Sequence, residues 1–275
     1  MSEVLITKSN GETEAFNKEK LAYSLMKSGV SEEVKTKIIA HIVAELKPGM
    51  KTADIYEHAF SLLSKHEKKA ALNYSVRRAI LDLGPSGFPF EQLIAEIFRR
   101  DGFSVATDKY VKGKCAEHEL DVIAFRGEEL VMIEAKFHNL DGVKSDLKVA
   151  LYVKARFDDL RAATFDYGEA KKMTRGILIT NTKFTHTAIN YAKCAGLELI
   201  GWNYPNQHNL QDMIQEAGLH PITCLETLSK NDKKRLLEKN IVFLADLNNQ
   251  LNVLDDLGMN KEKRDFVINE INNVL

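Results

Sequence analysis

The chain has 275 residues, 28% of them charged and 44% hydrophobic, with a formal net charge of −1. That length supports two or three domains with cores of their own, and near-neutrality removes any global attraction to nucleic acid. No run of about 18 apolar residues is present to cross a membrane, and Met1-Ser2-Glu3-Val4 lacks the basic and apolar regions of a signal peptide. Cys115, Cys194 and Cys224 are scattered and odd in number. They argue against a disulfide framework or zinc knuckle and for a reducing cytoplasm.

Residues 1–84 read as a first unit. Val4 to Lys8 is strand-like, Ser9-Asn10-Gly11-Glu12 is a turn, and Glu14-Ala15-Phe16 returns as a short strand. Asn17 caps a helix whose apolar face carries Leu21, Ala22, Leu25 and Met26, stopped by Gly29. Ser31 caps a second helix with Val34, Ile38, Ile42 and Leu46 on one stripe, and Thr52 caps a third with Ile55, Ala59, Leu62 and Leu63. A fourth spans about 65–83. Gly84-Pro85-Ser86-Gly87 then breaks any helix and marks a hinge-like boundary.

Residues 88–205 alternate helix and strand. Phe90, Leu93, Ile94, Ile97 and Phe98 make one helical face, with Glu91 on its border and Glu96 well away from it. Next come two apolar arms, 118–125 and 130–136, joined by Arg126-Gly127-Glu128-Glu129. Gly127 suits the first central position of a type II′ turn. With Gly127-Glu128 as the loop, Arg126 faces Glu129 and Asp121 comes opposite Glu134. Glu134 and Lys136 share a face, since side chains alternate along a strand. Two carboxylates and a lysine then converge. Like charges placed opposite on a sheet are destabilising, and a divalent cation held by oxygen ligands would offset that. His118 and His138 flank this spot. A helix over about 144–163 carries Lys144, Lys148, Lys154, Arg156 and Arg161 against three aspartates, the best local basic patch. A strand at 175–180, a helix at 185–196 and a strand at 197–202 imply a parallel crossover beside the hairpin. Residues 206–275 are helical, with helices about 230–239, 243–257 and 261–274.

Two resemblances follow from these residues. Asp121 with Glu134-Ala135-Lys136, preceded by Phe90-Glu91-Gln92-Leu93-Ile94, resembles the PD-(D/E)XK nucleases, and among them the Mrr-like restriction endonucleases, over roughly 88–203. The resemblance implies a mixed sheet flanked by helices and metal-dependent hydrolysis of DNA phosphodiesters. It implies Mg²⁺ or Mn²⁺ held by Asp121, Glu134 and the Ala135 carbonyl, water positioned by Lys136, and support from Glu91. Residues 1–84 resemble an ATP-cone through Ile6-Thr7-Lys8 with Asn10-Gly11, Phe16-Asn17, Lys20, Lys51-Thr52-Ala53-Asp54-Ile55 and Tyr74 with Arg77-Arg78. Here the resemblance implies ATP or dATP as a regulatory ligand, with Ile6, Thr7, Lys8, Lys20 and Thr52 in the nucleotide site. Ser9 follows Lys8 where many such modules carry an arginine. Leu228-Ser229, Leu236-Leu237 and Asn240-Ile241 faintly resemble a helix-hairpin-helix unit that lacks its glycine.

The expectation is therefore an α/β protein in three consecutive parts: an ATP-cone over 1–84 with a small N-terminal hairpin, a nuclease domain over 88–205, and a helical tail over 206–275. It is expected to be a cytoplasmic homo-oligomer that takes DNA and ATP or dATP as partners, with no membrane association. The rival expectation is a nucleotide-sensing DNA-binding protein whose nuclease fold is inactive.

Overall fold

The computed structural model describes residues 4–8 and 11–274. The remaining residues of the expected first turn, Ser9 and Asn10, lie outside the described residues, as do Met1, Ser2, Glu3 and Leu275. The chain forms two compact units, neither of them one run of sequence. The first takes the chain up to Ala79, Pro221–Lys233, and Leu244 onward; the second takes Ile80–His220 and Lys234–Phe243. These units differ from three consecutive segments, and the break falls at Ala79 rather than in the Gly84–Gly87 stretch.

In the first unit, β1 (Leu5–Thr7) and β2 (Thr13–Ala15) pair antiparallel, Ile6 opposite Glu14. Then come α1 (Lys18–Lys27), α2 (Glu32–Glu45), α3 (Thr52–His66) and α4 (Lys68–Leu81). Asn17 accepts the Lys20 N–H at 2.7 Å and Ser31 accepts the Val34 N–H, so both expected caps form. Thr52 does not cap: it is the first residue of α3, Lys51 is the cap, and the Asp54 carboxylate accepts the Lys51 N–H at 3.3 Å. The expected stripes supply the core, with Leu25, Ile38, Ile42, Ala59 and Leu63 almost wholly buried.

The second unit opens with α5 (Phe88–Arg100), then β3 (Ser104–Lys112), β4 (Glu117–Arg126), β5 (Glu129–Lys136) and the short β6 (Lys144–Ser145). After α6 (Leu147–Arg161) come β7 (Arg175–Thr180), β8 (Lys183–Phe184), α7 (His186–Ala195), β9 (Glu198–Ile200) and α8 (Leu210–Ala217). The main sheet has the order β3-β4-β5-β7-β9. β3, β4 and β5 are antiparallel neighbours, while β5, β7 and β9 are parallel. The crossover and mixed sheet are as expected. The nine-residue β3 is an addition, and Lys144-Ser145 forms β6 instead of starting a helix.

α5 packs on β3, β4 and β5. A second layer joins Ile123, Leu130 and Met132 of the sheet to Val153, Phe157 and Leu160 of α6 and Ala188 of α7. β5 is buried from Leu130 to Ile133, as a central strand covered on both faces must be.

The chain closes with α9 (Lys230–Glu238), α10 (Leu244–Asn249), α11 (Val253–Asp256) and α12 (Lys261–Asn272). Asn240, after α9, has φ +59, a left-handed position that asparagine tolerates. Within the first unit, the Thr223 hydroxyl donates to the Ala79 carbonyl at 2.6 Å, and Glu270 accepts the N–H groups of Glu226 and Thr227. No helix among the described residues is long and apolar enough to cross a membrane.

Gly176 on β7 lies under the Phe157 ring, so a Cβ there would come 2.6 Å from the ring carbon Cγ. Gly176→Ala therefore lowers stability by about 1–3 kcal/mol through overpacking. Phe157→Leu in the same chain recovers part of that loss. Denaturant midpoints of the two single variants and the double variant check this.

Candidate active site

The β4–β5 hairpin has the expected turn. Gly127 has φ +56 and Glu128 does not share the positive φ, the pattern of a type II′ loop. Arg126 pairs with Glu129 and Val122 with Ile133. One further step of that register sets Asp121 against Glu134. On the other side, Thr107 pairs with Val122 and Lys109 with Leu120, so the same count sets Asp108 against Asp121. Three carboxylates thus occupy one level across three neighbouring strands, Asp108 on β3, Asp121 on β4 and Glu134 on β5. Lys136 follows two residues after Glu134, at the carboxyl end of β5 where it pairs parallel with β7.

Burial and like charge act together here. The Glu91 carboxyl on α5 is pushed up to about 7, first by burial and then by Asp121, Asp108, Glu134 and Glu119. Asp121 is raised by burial, against the lowering influence of the Ala135 N–H, which it accepts at 2.8 Å, and of Arg156. Glu134 is raised by burial and by Asp121, opposed by Arg156 and Lys136. The structure therefore gathers Glu91, Asp121, Glu134 and Lys136 around one end of the sheet, the set singled out in the sequence.

Two residues of this site escaped sequence reasoning. Asp108 lies on the unexpected strand β3 and has φ +51, a strained position for a residue that is not glycine. Arg156, read as part of a basic patch, is 7% exposed. Its guanidinium donates to the Glu134 carboxylate and to the Glu119 carbonyl. A signal was available: Val149, Val153, Arg156 and Leu160 share one helical stripe, so position 156 belongs to the inward face of α6. The patch shrinks further, since Lys154 pairs with Asp158 and the Arg161 guanidinium lies over the Phe157 ring. Lys144 and Lys148 remain exposed.

The flanking histidines have structural partners. His118 Nε2 lies 2.8 Å from the Asp159 carboxylate, which also accepts the N–H groups of Cys115 and Ala116. The backbone of His138 exchanges hydrogen bonds with Asn181, and its ring meets Ser145. Of the residues assigned to a nucleotide site, Ile6 is core at 5% exposure. Thr7 donates its N–H to Met50 and its hydroxyl to Gly49. Lys8 pairs with Glu12 at 2.7 Å and approaches Glu14, and Lys20 also meets Glu14. Both lysines thus face carboxylates, and Thr52 begins α3. Asn10, part of the same motif, lies outside the described residues.

The acidic donors are hard oxygens, the kind that suits Mg²⁺ or Mn²⁺. Burial, with like charge added to it, raises three carboxyl groups, and a cation would relieve both. No three of these carboxylates bring oxygens within 4.8 Å of one another among the described residues. A cation would therefore rely on Asp121, Glu134 and a backbone carbonyl such as that of Ala135, with Glu134 released in part from Arg156.

Comparison with known proteins bears on this geometry. Residues 84–203 match the restriction endonuclease catalytic model and residues 220–275 match the model described as AF1548-like, C-terminal. An uncharacterized protein of Archaeoglobus fulgidus is 36% identical over 183 residues, covering 66% of this chain and 99% of that one. The chain belongs to the AF1548-like family. The crystal structure of AF1548, a protein of unknown function, superposes with a TM-score of 0.56 at 34% identity, covering 69% of this chain and 98% of the other. A structure of the MspJI restriction endonuclease with a 27-mer oligonucleotide is matched at 11% identity and a TM-score of 0.33, covering 77% of this chain and 44% of that one, a likeness too slight to carry an argument. In this AF1548-like chain the restriction-endonuclease-like region contains all of α5 and β3 to β9, and with them every residue of the acidic site. Neither matching model covers residues 1–83.

Two outcomes follow for the metal-free protein. Arg156→Met leaves Glu134 half-buried without its cation and costs about 3 kcal/mol. Glu134→Gln in the same chain recovers most of that, so a double-mutant cycle in denaturant reads a coupling well above 1 kcal/mol. The second concerns pH. The folded carboxyl of Glu91 holds its proton more tightly than the unfolded one, so its contribution is full below pH about 4.5 and is lost as pH rises to about 7. With solvent screening of a half-exposed group allowed for, the loss is roughly 1 kcal/mol. In EDTA, Glu91→Gln is expected to flatten the stability curve between pH 5 and 8; parallel curves for the two proteins would show that Glu91 does not titrate in this window.

Proposed function

We propose that this chain is a metal-dependent endonuclease that hydrolyses DNA phosphodiester bonds. The observation that carries the reading is the level of carboxylates Asp108, Asp121 and Glu134 across three strands, with Lys136 two residues beyond. A charged row like this in a half-buried place is unfavourable for folding alone, and perturbed groups of this kind cluster at functional sites. A divalent cation such as Mg²⁺ or Mn²⁺, bound by Asp121, Glu134 and the Ala135 carbonyl, would polarise the phosphate and acidify its bound water. Lys136, exposed at the end of β5, orients the attacking water and balances charge on the phosphate. Glu91, whose carboxyl burial and neighbouring carboxylates push up to about 7 in the metal-free protein, would support the cation shell. Arg156 acts behind Glu134, fixing the angle of its carboxylate while bracing α6 against β4 through the Glu119 carbonyl.

The finer regulatory reading is that ATP or dATP binds near Lys8, Lys20, Thr7 and Thr52 and changes the activity of a homo-oligomer. The hairpin followed by four helices supports it; the pairing of both lysines with Glu12 and Glu14 weighs against it, because a phosphate would have to displace those carboxylates. The rival, a nucleotide-sensing DNA-binding protein with an inactive nuclease fold, draws on Arg156: a guanidinium already balances Glu134.

One experiment separates these readings. Plasmid is incubated with the full chain in Mg²⁺, Mn²⁺ or EDTA, each with no nucleotide, ATP or dATP. Cleavage is expected with metal alone. Asp121→Ala, Glu134→Ala and Lys136→Ala are each expected to lower the rate by about 100-fold or more while the fold is kept. ATP or dATP is expected to shift the rate severalfold, an effect that Lys8→Ala weakens. Full activity in Glu134→Ala protein would remove the site assignment. Plasmid retardation without cleavage in any metal would establish the inactive fold.

A further inference from the structure

We propose that His41, Glu45 and His58 form a binding site for a divalent transition-metal ion of the zinc class, apart from the acidic site on the sheet. His41 and Glu45 are one turn apart on α2, and His58 lies on α3, which packs against α2. Nε2 of His41 is 3.3 Å from Oε1 of Glu45, and Nδ1 of His58 is 3.6 Å from Oε2 of the same carboxylate. The three residues each bring a ligand atom within 4.8 Å of the others. The two imidazole rings meet edge to face with centroids 4.9 Å apart.

These separations are close to what a metal centre needs. Zinc bonds of about 2.0–2.1 Å in a tetrahedron put neighbouring ligand atoms roughly 3.3 Å apart. Both nitrogens already face one carboxylate, so a small rotation of Glu45 and modest closure of the rings would let all three bind one ion. Donor chemistry sets the metal class. Two imidazoles and one carboxylate favour zinc, cobalt, nickel or copper, whereas magnesium and calcium prefer oxygen alone. His41, Glu45 and His58 have side-chain exposures of 46%, 54% and 31%. An ion would enter without unfolding the helices, and its remaining coordination positions would face water. As close surface pairs alone, such exposed groups contribute little. As ligands of one ion they would staple α2 to α3, and binding to the folded state alone would stabilise this unit.

The test uses the full chain, stripped with chelator and kept in excess Mg²⁺ so that the acidic site is not open to trace metal. Zn²⁺ is titrated by calorimetry, and Co²⁺ is followed by its visible absorption. The expected result is one equivalent of Zn²⁺, a Co²⁺ spectrum of low coordination number with nitrogen ligands, and a rise of roughly 5 °C or more in the thermal midpoint at saturating Zn²⁺. His41→Gln and His58→Gln should each weaken binding by about tenfold or more and remove the thermal shift, and Glu45→Gln serves where either fails to fold. Asp121→Asn with Glu134→Gln should leave Zn²⁺ binding unchanged. Equal Zn²⁺ affinity in the His41→Gln, His58→Gln double variant would overturn the proposal. So would loss of binding in the acidic-site variant, which places the ion on the sheet, or a dissociation constant weaker than about 1 mM, which leaves only a surface pair.

Discussion

The second unit is organised around carboxylates crowded at one end of a buried sheet and only partly balanced by Arg156 and Lys136. The two ends of its central strands differ sharply. At the start of β5 and β7, Glu129 and Glu198 both bond to Arg175, at 2.6 and 2.7 Å, and Arg126 approaches Glu129 as well. Each carboxylate there has its cation, and the network reads as structural. At the other end burial and neighbouring carboxylates raise Glu91, Arg156 opposes the rise of Asp121, and Arg156 and Lys136 oppose that of Glu134. Lengths of strand that could have been finished with apolar residues are finished with acids instead. Such a row persists only because the surrounding hydrogen bonds and packing fix the strands that carry it.

That arrangement depends on register, and register depends on one turn. A slip of one residue in the β4–β5 pairing would exchange every side chain between faces, taking Glu134 and Lys136 away from Asp121. Gly127 supplies the positive φ, and the alternation of apolar and charged residues does the rest. This is why the core of the site was legible in the sequence: turn chemistry and a period of two are local signals. Asp108 was not legible because β3 carries no such signal. Its residues, Ser104 to Lys112, are mixed in polarity and largely exposed at the sheet edge. Arg156 was hidden for the opposite reason. Its helix carries many charges, and only the stripe through Val153 and Leu160 betrays that this one points inward. Charge counting along a helix averages over faces, while burial is decided face by face.

The first unit marks the other boundary of sequence reading. Its helices follow from caps and apolar stripes, and most of the residues named from periodicity are buried or half-buried, although Met26 on the expected face of α1 is exposed. What periodicity cannot carry is long-range closure. Thr223 meets Ala79 across 144 positions, and the chain from Leu244 onward completes a unit that begins at the N-terminus. Each helix of the closing segment has an ordinary apolar face, and nothing local says which surface covers it. Pairing of lysines is similarly invisible: Lys8 and Lys20 look like phosphate ligands in sequence, yet Glu14 on the facing strand meets both.

The two proposed cation sites differ in the kind of donor atom each offers. The sheet end offers carboxylates and a carbonyl, hard groups whose attraction for a divalent ion is mainly charge. The α2–α3 surface offers two imidazoles and a single carboxylate, where covalency with the nitrogen lone pairs contributes and net charge counts for less. A carboxylate cluster in which burial has raised several groups pays a penalty that any hard divalent ion can relieve, so it discriminates weakly among such ions and responds to their concentration. The exposed histidine pair carries no such burial penalty when empty and would gain only from an ion that accepts nitrogen donors well. Selectivity between the two proposed sites would therefore come from ligand chemistry rather than from strength of charge, which is the usual way a protein separates metals whose intrinsic affinities follow a fixed order.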